Sequence, residues 1–356
     1  MSRAPDAEPG HAPGTRQRGT SRAREQRLRR GGLFVPLVFA FAAQLEGMPV
    51  AEFMESPTKL TSGLRSVFGH FGVDGVVCWS DDTAPAATLS CPLDWSTYPP
   101  GVAAVPPPPD PGGDCAAGTG EAVARARAVE ARLSDLPGQG PTGTAVEVVR
   151  RMATLLPDTV LVASVPGPVT LARQLGGLSL ADVAAHGELL RLATKACLTY
   201  TKALGEAGLD VLLVREEALA APGAASAADL ARLYSPIWNT ARHYGLIALL
   251  APGVHSEAAL VALAAAVDGV VVPPHEVPEA RRHFKRVGVV LPAGLVEHPD
   301  RDLRAYLNAH DVVGVVRGGV FLVTTDGEVP LDIGREALIA GVETMRELIS
   351  GGIERD

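Results

Sequence analysis

Asp81 and Asp82 follow the apolar run GVVCW, and Arg215, Glu216 and Glu217 lie at the end of the run VLLV. A carboxylate at the rim of an apolar strand is partly desolvated. Its pKa rises toward the range where proton transfer is efficient. Asp81 is therefore a candidate catalytic residue, with Glu217 and Arg215 beside it. Asp82 either caps the next helix or faces the same site as a substrate-binding group. Arg215 carries the planar fork that clamps a substrate carboxylate, unless it pairs with its acidic neighbours. A second signal is Pro166-Gly167-Pro168, which stops an apolar run and opens a helical stretch. Gly167 lets a backbone approach a ligand closely, and the prolines fix that backbone. Gly167 and Pro168 are thus expected at the substrate. His275 and Asp326 end later apolar runs and complete the expected binding set, with His298 and Glu328 nearby. His255 with Glu257 is the nearest approach to a metal grouping and reads as a solvated helix start. No GxSxG, Walker A, HExxH or EF-hand pattern occurs, so the chemistries those motifs carry find no support.

Eight short runs must position these residues: 33–41, 74–81, 159–165, 210–216, 245–251, 268–274, 288–294 and 318–325. They are apolar almost throughout rather than alternating, the mark of strands buried on both faces of a parallel sheet. Ala- and Leu-rich helical stretches lie between them, several running into glycine (Gly72, Gly208, Gly245, Gly288) before the next strand. Eight such units predict an α/β fold, a single-domain (β/α)8 TIM barrel. A doubly wound open sheet is the competitor, but the first run is not followed by a GxGxxG turn. In a barrel the C-terminal strand ends form one mouth, where all the candidates above would meet. Residues 1–32 are rich in arginine and read as a disordered tail, leaving 33–356 as the barrel. A proline-rich excursion at 97–120 is expected to be a disordered insertion or a lid.

A net charge of −8 gives no basis for nucleic-acid binding. Four cysteines without CxxC spacing argue against a zinc ribbon or a disulfide scaffold and suggest a reducing cytoplasm. Arg29-Arg30 before LFVPLVFAFAA has the look of a twin-arginine leader, but Pro36 interrupts the run, which serves equally as a first buried strand. No run has the length of a membrane span. The chain reads as a monomer or a homodimer.

Four stretches carry a resemblance: VPLVFAF, FGVDGVVCWSDDTAPAATLSCPLDW, GPVTLARQLGG and VFLVTTDGEVPLDIGREALIAGVETM. Together they resemble the uroporphyrinogen decarboxylase superfamily, from about Val35 to the C-terminus. These are (β/α)8 barrels that include haem-pathway decarboxylases and zinc-dependent methyltransferases acting on corrinoid proteins. The resemblance places Asp81 and the 167–172 turn on family positions and implies that Asp81 binds substrate N–H groups. It also marks departures. The arginine-bearing stretch that the decarboxylases carry after strand one is AFAAQLEG here, and their tyrosine falls at Gln174. The zinc ligands of the methyltransferases fall at Leu250, Pro252 and Gly327.

The expectation is a metal-free, cofactor-free decarboxylase-type lyase acting on a tetrapyrrole-like, carboxylated small molecule polarised by Asp81. One alternative is a corrinoid-linked methyltransferase that works with a corrinoid protein partner but without the zinc–thiolate site. Another is a non-catalytic barrel that binds a tetrapyrrole or a partner protein.

Overall fold

A computed structural model describes residues 21–103, 119–179, 183, 186–219, 227–264, 266–296, 304–310, 314–315, 319–329 and 334–353. All eight apolar runs contain a strand. They are β1 (Leu33–Phe34), β2 (Gly75–Trp79), β5 (Val160–Pro166), β6 (Val211–Ala218), β7 (Ile247–Val254), β8 (Gly269–Val272), β9 (Arg286–Leu291) and β10 (Leu322–Thr325). The ladder runs β1-β10-β9-β8-β7-β6-β5-β2, and every pairing in it is parallel. Between β2 and β1, the Asp74 N–H donates to Phe34 O at 3.2 Å and the Phe34 N–H donates to Asp74 Oδ2 at 3.0 Å. The carboxylate thus stands in for a missing rung, and the sheet is a nearly closed barrel within a ring of helices. This is the predicted single-domain TIM barrel.

The strands are buried because both their faces are covered. The inner face meets the other strands and the outer face meets the helices. β5 and β2 are buried along their whole lengths. Left-handed glycines stop the helices where the chain turns into the next strand, as at Gly72 (φ 61°) and Gly208 (φ 104°). Gly288 does not do this. It lies inside β9, because the preceding helix already ends at His283.

Two expectations are corrected. The run 33–41 is not one strand. Only Leu33–Phe34 pairs with β10, and Phe39–Leu45 is a helix whose first five residues are buried. An apolar run buried on all sides reads alike as strand or helix. Nor is the arginine-rich segment wholly a tail. Arg22–Arg30 is a helix capped by the Ser21 hydroxyl, which accepts from Arg24 N–H at 3.2 Å. Arg24 is buried on Asp210, just before β6. Residues 1–20 lie outside the described residues.

The first part of the proline-rich excursion is ordered as a small hairpin, β3 (Leu93–Asp94) against β4 (Gly101–Val102). Residues 104–118, including Cys115, lie outside the described residues. No helix among the described residues is long and apolar enough to cross a membrane.

Candidate active site at the barrel mouth

Two cavities open at the C-terminal ends of the strands. The first, about 300 Å³, lies on the barrel axis, with Val77, Leu213, Val271 and Val290 in its wall. The second, about 610 Å³, lies to the side, between the hairpin residues Pro99–Ala103 and the helix Pro168–Gly176. Ser80, Asp82, Arg215 and Glu217 line both and so form the partition.

The alternation of β6 places the partition. Leu213, Arg215 and Glu217 face the barrel interior, while Glu216 between them turns toward the helix Pro168–Gly176 at the cavity's edge. Arg215 Nε meets Asp82 Oδ2 at 3.0 Å, and Ser164 Oγ donates to Asp82 Oδ1 at 3.0 Å. Arg215 therefore does pair with an acid, but over the intervening strand β5 rather than with its sequence neighbours. Glu217 pairs with Arg173.

Asp81 is buried and lines the side cavity. Its Oδ1 accepts from the Thr83 N–H at 2.8 Å and the Thr83 hydroxyl at 2.6 Å. No donor among the described residues reaches Oδ2. Burial pushes the carboxyl up to about 6 against the lowering effect of these bonds. Across the same cavity Gln174 presents a buried Oε1 without a hydrogen-bond partner. Asp326 lines the axial cavity, and its Oδ1 accepts from Ala293 N–H at 2.8 Å.

The Pro-Gly-Pro turn holds a carboxylate of the protein, not a ligand. Glu216 accepts from Val169 N–H at 3.1 Å, Thr170 N–H at 2.8 Å and the Thr170 hydroxyl at 2.6 Å, and the Tyr234 hydroxyl donates to it as well. A Cβ on Gly167 would stand 2.1 Å from Glu216 Cδ. The close approach that this glycine permits is therefore that of Glu216. The first free N–H groups of the helix are already taken, and Gly167 and Pro168 line neither cavity. Burial raises the Glu216 carboxyl to about 7. Sequence reasoning missed this role. The usable signal was an acid two residues beyond the strand's apolar run, at a position whose alternation points outward.

His275 is also misplaced as a binding residue. It lies on the turn Pro274–Glu276, exposed, lines neither cavity and, among the described residues, reaches only Glu276 at 3.6 Å. Glu297 and His298 lie outside the described residues. Glu328 is half-buried behind the mouth, where its Oε2 accepts from Ala40 N–H at 3.1 Å and its Oε1 has no partner among the described residues, and desolvation raises it to about 7. It thereby caps the helix Phe39–Leu45, another role the sequence reading did not supply.

Zinc does not fit. The resemblance puts the methyltransferases' zinc ligands at Leu250, Pro252 and Gly327, none of which carries a metal-binding side chain, and only Pro252 lines the axial cavity. Cys78, Cys91 and Cys197 are free and buried, and none lines either cavity. His255 pairs with Glu276 at 3.0 Å rather than with Glu257. Among the described residues no group of three or more His, Cys, Asp or Glu side chains is arranged to hold a metal ion.

The barrel is similar to that of a methyltransferase from Methanosarcina mazei, with a TM-score of 0.65 and 18% identity over 89% of this chain and 92% of that one. A B12-independent methionine synthase from a Shewanella species is more distant, with a TM-score of 0.44 and 15% identity over 83% of this chain and 89% of that one. At such identities the likeness shows the fold. No family model matches the chain, and no curated protein does.

Proposed function

We propose that this chain is a small-molecule enzyme of the methyltransferase type of barrel that works by carboxylate acid–base chemistry in place of a zinc–thiolate site. One observation carries the reading: Asp81 is buried at a cavity wall, fixed through Oδ1, open at Oδ2 and raised to about 6. Such a carboxyl is ionised at neutral pH yet more basic than a solvated aspartate, which suits a general base. Asp81 Oδ2 takes the proton of an acceptor X–H as X becomes nucleophilic. The Asp82–Arg215 and Arg173–Glu217 pairs hold the walls on either side of X. A corrinoid carried by a partner protein and docked over the mouth would supply the methyl group. Among the described residues the mouth offers no imidazole or thiolate with which to hold a metal of its own.

The test uses methylcobalamin as the probe with a panel of amine, thiol and alcohol acceptors, following loss of the cobalt–methyl absorbance. Turnover by the wild type that falls roughly 10²–10⁴-fold in Asp81→Asn is the expected result. Parallel incubation with uroporphyrinogen tests the decarboxylase reading, in which Asp81 accepts pyrrole N–H bonds. Coproporphyrinogen formation would replace methyl transfer by decarboxylation. A tetrapyrrole or cobamide that co-purifies and is never turned over would make the chain a binding barrel.

A further inference from the structure

The axial cavity has one cation and one open anion, on opposite walls. Arg215 is the single cationic side chain that lines it among the described residues. Its Nε is taken by Asp82, and neither Nη has a partner among the described residues, so the fork that grips carboxylates bidentately remains available. Of the carboxylates that share the cavity, Asp326 is the one that has, among the described residues, neither a cationic partner nor more than a single donor. Asp82 is held by Arg215 and Ser164, Glu217 by Arg173, and Glu216 by four donors. Asp326 spends only Oδ1, on a backbone N–H, and its Oδ2 is open. Arg215 is on β6 and Asp326 directly follows β10. In the ladder β1-β10-β9-β8-β7-β6-β5-β2 those two strands are four places apart in either direction around the ring. They therefore face each other across the axis. Between them the wall is largely apolar: the hydroxyls of Ser164, Thr170, Thr324 and Thr325 all donate to protein acceptors, and Ser80 alone of the lining hydroxyls has no hydrogen-bond partner among the described residues.

We infer that this cavity takes a small zwitterion, an amino-acid-like molecule with its carboxylate on Arg215, its ammonium on Asp326 and a short apolar body between. The inference rests on the mouth being the substrate site and names the class of molecule that its axial cavity takes, across the Asp82–Arg215 partition from the Asp81 cavity. A simple anion would face the uncompensated Asp326, and a simple cation would leave the Arg215 fork unused. A polycarboxylate would need more cations than this wall has. The volume of about 300 Å³ sits at the small end of ligand pockets and agrees with such a molecule.

Isothermal titration of the whole chain with glycine, β-alanine and γ-aminobutyrate, against butyrate and butylamine, tests this. At least one zwitterion should bind roughly tenfold or more tightly than either single-ended compound. Arg215→Gln combined with Asp82→Asn removes both partners of the ion pair, so no buried charge is left alone. It should lower zwitterion binding to the butylamine level. Asp326→Asn should lower it to the butyrate level. Equal binding of zwitterions and single-ended compounds, indifference to both variants, or no binding by any of the panel would overturn the inference. Binding is read without turnover. A chain that binds a zwitterion but transfers no methyl group keeps this inference and loses the proposed reaction. One that turns over a substrate lacking either charge does the reverse.

Discussion

At the scale of single residues, the mouth is marked by carboxyls held above their ordinary range by burial: Asp81 at about 6, Glu216 and Glu328 at about 7. They are not equivalent. Asp81 has an open oxygen on a cavity, whereas Glu216 spends both of its oxygens on a helix N-terminus and Tyr234, and Glu328, which lines neither cavity, spends Oε2 on a helix N-terminus and keeps Oε1 buried without a partner among the described residues. Only Asp81 is placed to exchange a proton with a ligand. A base must be ionised to act, so kcat/KM should rise with pH through about 6 and then level off. A pH–rate profile checks this, and Asp81→Asn should leave a low, flat profile. Glu216 acts on stability instead. Its folded value of about 7 exceeds the ordinary 4.5, so between these the folded chain keeps a proton that the unfolded chain releases. Its contribution is complete below about 4.5 and is lost as pH rises through about 7. Glu216→Gln keeps an acceptor for Val169 and Thr170 and removes the titration. Urea midpoints measured across that window should fall less steeply with pH for the variant than for the wild type.

At the scale of elements, the turn after β5 shows how a strand end is fastened to its helix. The Gly167 N–H donates to Arg215 O at 2.6 Å, and the Thr170 hydroxyl accepts from Glu217 N–H at 2.9 Å while donating to Glu216. The helix Pro168–Gly176, which brings Arg173 and Gln174 to the side cavity, is thus pinned to β6 at its first turn. Gly167 has an ordinary φ of −73°, so its requirement is space and not backbone freedom. Gly167→Ala should therefore destabilise the fold by about 1–3 kcal/mol through overpacking against Glu216, measured by chemical denaturation. This turn also shows what the sequence could reveal. Eight strands were legible because doubly buried strands are nearly all apolar, and the mouth followed from the barrel. Asp81, Asp82, Arg215, Glu217, Gln174 and Asp326 do line its cavities. The partners were not legible. Nothing local to Arg215 says that it will meet Asp82 rather than Glu216, because the choice depends on which strands become neighbours. Gly167 carried the right signal, a close approach, but the approaching atom comes from a strand about fifty residues away.

At the scale of the whole molecule, the barrel has a working end and a supporting end, and the same β5–β6 pair is fastened at both. At the mouth the fastening is Glu216. At the opposite end it is Asp210, which accepts from Leu161 N–H at 2.7 Å and receives Arg24 Nε at 2.7 Å, while Arg24 Nη2 donates to Gly208 O at 2.8 Å. Arg24 joins residues 186 positions apart and closes the helix Arg22–Arg30 over the base of the barrel. Composition alone disguised this, since one buried arginine looks like its solvated neighbours. The pair is nearly fully buried, with side chains 7% and 8% exposed. Burial raises the Asp210 carboxyl although Arg24 lowers it, so desolvation already dominates with the partner in place. A buried charge that loses its partner keeps the desolvation penalty and loses the attraction that offset it. Arg24→Ala should therefore cost about 3–5 kcal/mol, whereas Arg29→Ala on the exposed face of the same helix should change stability by less than about 0.5 kcal/mol. Adding Asp210→Asn to Arg24→Ala removes the stranded charge and should recover part of the loss. Urea denaturation of the four proteins decides it. Equal midpoints for Arg24→Ala and Arg29→Ala would mean that the helix merely rests on the barrel, and the base would then need another explanation for how β5 and β6 are held in register.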